Sequence, residues 1–263
     1  MRWLLLLCLI ACKPSKSEPE DQPPAPQKYA VLPDEISGQL GEVGIVLAID
    51  FQAAQLGKVE TLWSQVPVCV NEIANRTKVI AITRGAHDWQ GYVTGVPGPT
   101  LRGCIEGFGA NFGATVSARG SDYEIDVGDV AAQVKTAGTL TTITEGSNAP
   151  HAGDAPAVIT DLLARVPKTA HGLFVSSGFP DYKIKNVVAY LETDPATWKF
   201  TVFAEGSQVD MAMPWLESIV TTFKATLKTK GVVASDDWFK VEATPMAGKL
   251  VATVPISALG GAK

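Results

Sequence analysis

The chain has 263 residues, with 22 Lys and Arg against 27 Asp and Glu and a formal net charge of −5. So acidic a balance lacks the basic footprint of a nucleic-acid binder, which removes that class of partner. With 46% hydrophobic residues, the length supports one large core or two smaller ones.

Met1-Arg2 followed by the apolar stretch Trp3 to Ala11 has the charged n-region and short h-region of a secretory signal. The run is far below the ~20 apolar residues of a membrane-spanning helix, and no later run supplies one. Leu9-Ile10-Ala11-Cys12 resembles the lipobox of bacterial lipoproteins. That resemblance implies that residues 1–11 are a removed signal peptide and that the Cys12 sulfur carries a diacylglycerol. Membrane attachment would then be through lipid, each buried CH₂ contributing roughly 0.8 kcal/mol. Lys13, not Asp, follows the cysteine. By the same resemblance the outer membrane is favoured, with the body facing the periplasm or the cell surface. Residues 14–27 carry proline and charge but no large apolar side chain, so they cannot offset their ordering entropy. Residues 12–30 are read as the lipidated cysteine and an extended tether, reaching up to ~3.1 Å per residue.

The body begins with a strand over 43–50 (VGIVLAID), a short apolar run of the kind that is buried on both sides. A helical segment to Val66 follows, with Leu56, Val59, Leu62, Trp63 and Val66 on one face, and then a short helix over 68–74 carrying Cys69 and Ile73. Strands over 78–84 and 89–96 flank Gly85 to Asp88 and form a hairpin. Thr100 is placed to cap a helix bearing Leu101, Cys104, Ile105, Phe108 and Phe112, which Gly113 stops. A second hairpin pairs 115–118 with 123–127, and 140–144 adds a strand. In the second half Asp154 is placed to cap a helix through Val166. Strands follow over 171–177, 187–193 and 198–204, the last two joined by a type I turn at Asp194-Pro195-Ala196-Thr197. Asp210 then opens a long helix with Leu216, Ile219, Val220, Phe223 and Leu227 inward, ended by Gly231. A hairpin of 239–244 and 250–254 closes the chain.

Both halves read helix, strands, helix, hairpin, and Leu62-x-x-x-Val66-Pro67 recurs one hundred residues later as Leu162-x-x-x-Val166-Pro167. The expectation is an α+β fold of two tandem ferredoxin-like modules, residues 31–148 and 149–263, each an antiparallel sheet with helices on one face. Val46 to Asp50, Gly91 to Val96 and the segment from Val187 through Leu259 are similar to uncharacterised bacterial lipoproteins of the myxobacterial type with a repeated α/β domain of unknown function. That resemblance implies a fold and a location, and no activity.

Residues able to carry chemistry are few. His87 lies in a turn beside Asp88, His151 in a Pro/Gly/Ala loop, and His171 opens a strand, and no pair has metal-ligand spacing. Asp122, Glu124 and Asp126 alternate as calcium ligands do, but Val127 and Gln133 stand where such a loop needs Gly and Glu. Tyr123, Ile125 and Val127 between them mark a strand with a wet acidic face. Gly107-Phe108-Gly109 has neither the strand-to-helix context nor the third glycine of a phosphate loop, and Gly103 and Gly107 are read as sites of close backbone approach. Ser176-Ser177-Gly178 is not a nucleophile elbow. No catalytic residue, metal or cofactor is assigned.

Outside the signal and Cys12 the chain has two cysteines, Cys69 and Cys104, and in an oxidising compartment they are expected to pair. The function that remains is a non-enzymatic envelope lipoprotein that binds or braces an unidentified envelope partner. The alternative is a carrier of an apolar or lipid ligand, with the strands curled into a half-barrel and Trp89, Trp198 and Trp238 lining its cavity.

Overall fold

In the computed structural model, residues 28–54, 68–86, 88–109, 113–119, 122–127, 130–145, 151–207, 211–229, 231–244 and 246–259 are described. Cys12, the tether up to residue 27, the Leu62/Val66/Pro67 copy of the repeat, His87 and Asp210 lie outside them.

The strands are β1 (Ile45–Asp50), β2 (Val79–Arg84), β3 (Trp89–Thr94), β4 (Ala114–Arg119), β5 (Asp122–Val127), β6 (Val130–Ala137), β7 (Leu140–Glu145), β8 (Gly172–Ser176), β9 (Ile184–Thr193), β10 (Thr197–Gly206), β11 (Phe239–Thr244) and β12 (Ala247–Pro255). The helices are α1 (Asp34–Ser37), α2 (Val68–Arg76), α3 (Gly98–Gly109), α4 (Ala157–Ala164) and α5 (Ala212–Thr229). All twelve strands join one sheet in the order β11-β12-β10-β9-β8-β1-β2-β3-β7-β6-β5-β4. Each neighbouring pair is antiparallel, from β1 with β2 in one direction to β1 with β8 in the other.

The class is α+β, as expected, but the strands do not form two ferredoxin-like sheets. That unit needs a helix crossing over between strands that then interleave. Here β8, β9 and β10 run as a meander, neighbours in sequence lying side by side. The repeated element order survives in another form. In each half three strands lead through a helix to a final group, whose last strand returns beside the third: β7 pairs with β3, and β12 with β10. The two halves meet through β1 and β8, across the boundary drawn at 148/149, in a register from Ile45 opposite Ser176 to Ile49 opposite Gly172.

Helices also cover both faces, not one. On the front, Val46, Ala48, Ala81, Tyr92, Leu173, Val175 and Val188 pack against Ile159, Leu162, Leu163 and Val166 and against Leu32, Ile36 and Leu40 of the N-terminal segment. Tyr29 and Ala30, at the end of the stretch assigned to the tether, are already buried in this core. On the back, α2 and α3 pack Val70, Ile73, Leu101 and Cys104 against Val93 and Val96. Ile105 of α3 extends that contact to Tyr123, Ile125 and Val134. At the other wing α5 sets Leu216, Ile219 and Val220 on Ala204, Leu250 and Val241. The cause is strand alternation: successive side chains point to opposite faces, and the central strands are apolar at nearly every position.

Several local expectations change. Strand β6 was not anticipated, because its small residues VAAQVKTA carry little contrast, although Ala132 and Val134 are buried. Helix α3 starts at Gly98, and the Thr100 N–H bonds the Pro97 carbonyl, so Thr100 sits within the first turn. Helix α4 is preceded by Pro156 with no side-chain cap, and Asp154 instead accepts a 2.7 Å bond from Lys28 Nζ. A tight connection forms at Asp194: its carboxylate accepts from the Ala196 and Thr197 N–H groups at 2.7 and 2.8 Å and from the Thr197 hydroxyl. The hydroxyl bond is the leading reason that carboxyl lies below the usual range.

Helix α5 is the cleanest test of the packing. Leu216 is fully buried, whereas Lys224 is an exposed partner of Asp236. Leu216→Ala should cost about 2–5 kcal/mol by leaving a cavity, read as a lower urea midpoint. Lys224→Glu should move the midpoint far less.

Candidate functional site

The described residues that sequence reading singled out divide between structural bonds and solvent. Cys69 and Cys104 form a disulfide, joining α2 to α3 with their Cα atoms 5.3 Å apart. Glu124 pairs with Arg119; Tyr123 and Ile125 are buried, and Asp122, Glu124 and Asp126 occupy the opposite face. Gly103 and Gly107 are not close-approach sites, for a Cβ at either meets nothing within 4 Å. Gly113 follows α3 with φ +70°, the left-handed conformation that favours glycine. The His171 ring lies 2.7 Å from the Thr193 hydroxyl, which donates to the Ala53 carbonyl. The Ser176 hydroxyl is engaged with Gly178 and that of Ser177 with the Gly44 carbonyl. Among the described residues no three His, Cys, Asp or Glu side chains gather as metal ligands. No helix among them is long and apolar enough to cross a membrane.

One polar cluster escaped the sequence reading. Gln90 and Tyr92 are fully buried on the front of β3. The Tyr92 hydroxyl donates to Gln90 Oε1 at 2.7 Å, and the His151 backbone N–H donates to the same oxygen at 3.2 Å. The nearly buried His151 ring sets Nε2 3.2 Å from Asp88 Oδ1. Its nearest signal was the Gln-x-Tyr alternation in β3, since both side chains must share a face. The cluster fastens the loop between the two halves to the β2–β3 hairpin. It is closed to solvent at Gln90 and Tyr92, which suits a structural lock better than a reacting centre.

The trough on the back face is a different environment. Helices α2 and α3 occupy one wing and α5 the other, and the middle of the sheet lies between them. Leu47, on central strand β1, is 40% exposed. Directly beside it stand Ile82 of β2 and Phe174 of β8, then Ala189 of β9, all partly exposed. The α5 side is lined by aromatic rings: Phe174 stacks on Phe179 at 6.2 Å and Phe179 on Trp215 at 5.9 Å. Trp89 lies on the opposite side, its ring over Gly91. At one end Arg84 is exposed beside Ile45. Of the back-face side chains on β1, β2 and β8, Arg84 is the charged one, the others being Ile45, Leu47, Ile49, Ile80, Ile82, Gly172, Phe174 and Ser176. The expected cavity tryptophans are thus dispersed. Trp198 is buried against Ala54, Leu191 and Ile256, and Trp238 lies in a short 3₁₀ turn before β11.

A separate recess of about 240 Å³ is lined by Val188, Phe203, Gly248, Arg165 and Glu205 among others. Its charges are already matched. Glu205 accepts from Asn186 and from Arg165, each at 2.6 Å, and these bonds hold its carboxyl below the usual range. The trough is the stronger candidate because Leu47 is 40% exposed and Ile82, Phe174 and Ala189 beside it are partly exposed.

No protein-family model matches the chain, and no curated protein matches it. Among solved structures, those described as crystal form III and crystal form IV of TP0453 are similar, with TM-scores of 0.54 and 0.50 and 9% identity each. The first match covers 85% of this chain and 95% of that one, the second 88% and 95%. The likeness is one of fold.

Two measurements test this geometry. Mass spectrometry of unreduced, alkylated protein should yield a linked 69/104 peptide, and closing the 36-residue loop should stabilise the fold by roughly 3.5–4 kcal/mol on the chain-entropy model. The second concerns Tyr92, whose hydroxyl is pushed up to about 12, chiefly by burial, with the Asp88 charge adding and a Thr83 bond opposing. Its protonated form is the one that the fold favours, so this contribution is intact below the ordinary tyrosine pKa near 10 and is lost as pH rises from about 10 to 12. The loss should be on the order of 2–3 kcal/mol, and Tyr92→Phe should flatten that part of the stability-versus-pH curve.

Proposed function

We propose that this chain is a membrane-anchored lipoprotein of the cell envelope with a non-enzymatic binding role, held through Cys12 and binding through its back-face trough. The observation that carries the reading is Leu47, a large apolar side chain on the central strand of a twelve-stranded sheet that is 40% exposed. Central strands are where burial is most complete. A partly exposed apolar strip there marks a surface that meets another apolar surface. The Cys12 lipobox and the tether support the anchoring half of the proposal, as does the favoured placement at the outer membrane. The non-enzymatic half is supported by the bonds that occupy His171, Ser176 and Ser177.

The trough also favours a second reading, a carrier of an apolar or lipid ligand. Its apolar floor between two helical patches, with aromatic rings on both sides, suits the hydrocarbon of a ligand chain.

Both halves can be measured on the full chain. Cys12→Ala should abolish lipidation and shift the protein out of the membrane fraction; unchanged processing and partition would overturn the anchor. Native mass spectrometry and solvent extraction of the purified protein should find an apolar molecule in stoichiometric amount, lost in Leu47→Lys. An empty protein that instead cross-links to one envelope partner from position 47 would keep the binding role and remove the carrier. An empty protein with no cross-link would overturn the trough as the binding face.

A further inference from the structure

Resting on the carrier reading, we infer that the trough takes a single-chain anionic amphiphile, its acidic head at Arg84 and its hydrocarbon chain along Ile82, Leu47 and Phe174. Charge and apolar surface are segregated along one line. The back-face row nearest one end of the strands holds Arg84 and Ile45. The next row holds Ile82, Leu47 and Phe174, and the one after it Ile80, Ile49 and Gly172. Ile80 in that last row is buried, so the path runs roughly 7 Å along the strands from Arg84 to the Leu47 row and then roughly 10 Å across Ile82, Leu47 and Phe174, at about 4.8 Å per strand.

The Arg84 side chain is exposed, and among the described residues it makes no ion pair or side-chain hydrogen bond. The other arginines whose ion pairs are described, Arg76, Arg102, Arg119 and Arg165, each hold a glutamate. A guanidinium offers paired N–H donors that match a carboxylate or phosphate, and beside an apolar strip it selects a ligand that has both parts. A neutral oil would leave Arg84 without a partner. A peptide strand would need open backbone groups, and β1 has none, being paired on both sides.

The test compares labelled palmitate with hexadecanol, the same chain length without the charge, in equilibrium binding to the full chain exchanged into an amphipathic polymer. Palmitate should bind more tightly, and Arg84→Gln should remove that preference by roughly two- to fivefold, the range for one solvent-exposed ion pair. Leu47→Lys should weaken both ligands, by roughly tenfold or more. Position 47 is partly exposed, and an unchanged thermal transition would establish that the variant folds; Phe174→Ala provides a second variant on the same strip. The carboxyl carbon resonance of bound palmitate should shift on binding to the parent protein and not to Arg84→Gln.

Equal binding of both ligands, unaltered by Arg84→Gln, would overturn the anionic head and leave the trough as an apolar site. Binding of neither would overturn the carrier reading itself. A photo-cross-linker at position 47 that captures residues 55–67 of the same chain, with or without palmitate, would assign the trough to the protein's own sequence and end the proposal.

Discussion

The antiparallel pairing of β1 with β8 is the contact on which the rest of the molecule depends. It joins two halves of similar connectivity into one sheet, so that the strand opening each half becomes the centre of the whole. That register points Val46 and Ala48 to the front beside Val175 and Leu173. A slip of one residue would exchange faces, exposing the front core and burying Leu47. The front must therefore be covered at the centre, and α4 with the buried N-terminal segment covers it. Glycine at 41 permits that closure, since a Cβ there would stand 2.2 Å from the Ala152 carbonyl oxygen. Among the described residues the back is covered instead at the wings, where α3 and α5 each follow a three-strand run, and Leu47 at its centre is 40% exposed.

What was legible in the sequence follows from the range of each signal. Period-two alternation placed β5, with Tyr123 and Ile125 inward, and the spacing of Leu216, Ile219 and Val220 placed α5. Cys69 and Cys104 were found by elimination, as the cysteines left once the signal and Cys12 are set aside. Strand β6 was lost because alanine is compatible with helix and strand alike. Asp154 does not cap because the helix starts at Ala157 with Pro156 in the capping position, and its carboxylate pairs with Lys28, 126 residues earlier. The partnership of β1 with β8 left no local mark at all: alternation says which face a side chain takes, never which strand lies beside it.

The same limit hid the candidate site. Val-Gly-Ile-Val-Leu-Ala-Ile-Asp reads as a strand buried on both sides, and nothing in those residues says that Leu47 is 40% exposed. Arg84 looked like the polar end of an ordinary strand. Its meaning depends on Ile82 and Leu47 being neighbours across β1 and β2, which is a property of the sheet. The buried cluster of Gln90, Tyr92 and His151 was hidden for a related reason, because its members are 61 residues apart in sequence.

An open trough is useful for binding only if its sides hold their positions without a ligand, and each side has its own means. On one wing the Cys69–Cys104 disulfide ties α2 to α3. Helix α3 in turn is seated by Ile105 on Tyr123, Ile125 and Val134, with the Arg102 guanidinium 5.9 Å from the centre of the Tyr123 ring. On the other wing the stack Phe174, Phe179 and Trp215 runs from the sheet floor to α5. Phe200, Phe223 and Phe239 repeat the device further along that helix, edge to face at about 6 Å. One side is fixed by packing away from the β1–β8 seam, and the other is rooted in it through Phe174, so the α5 wall and the floor share a residue. A site preorganised in this way spends little of its binding energy on ordering side chains, and its selectivity then rests on what lies along the floor: apolar side chains with Arg84 at the end.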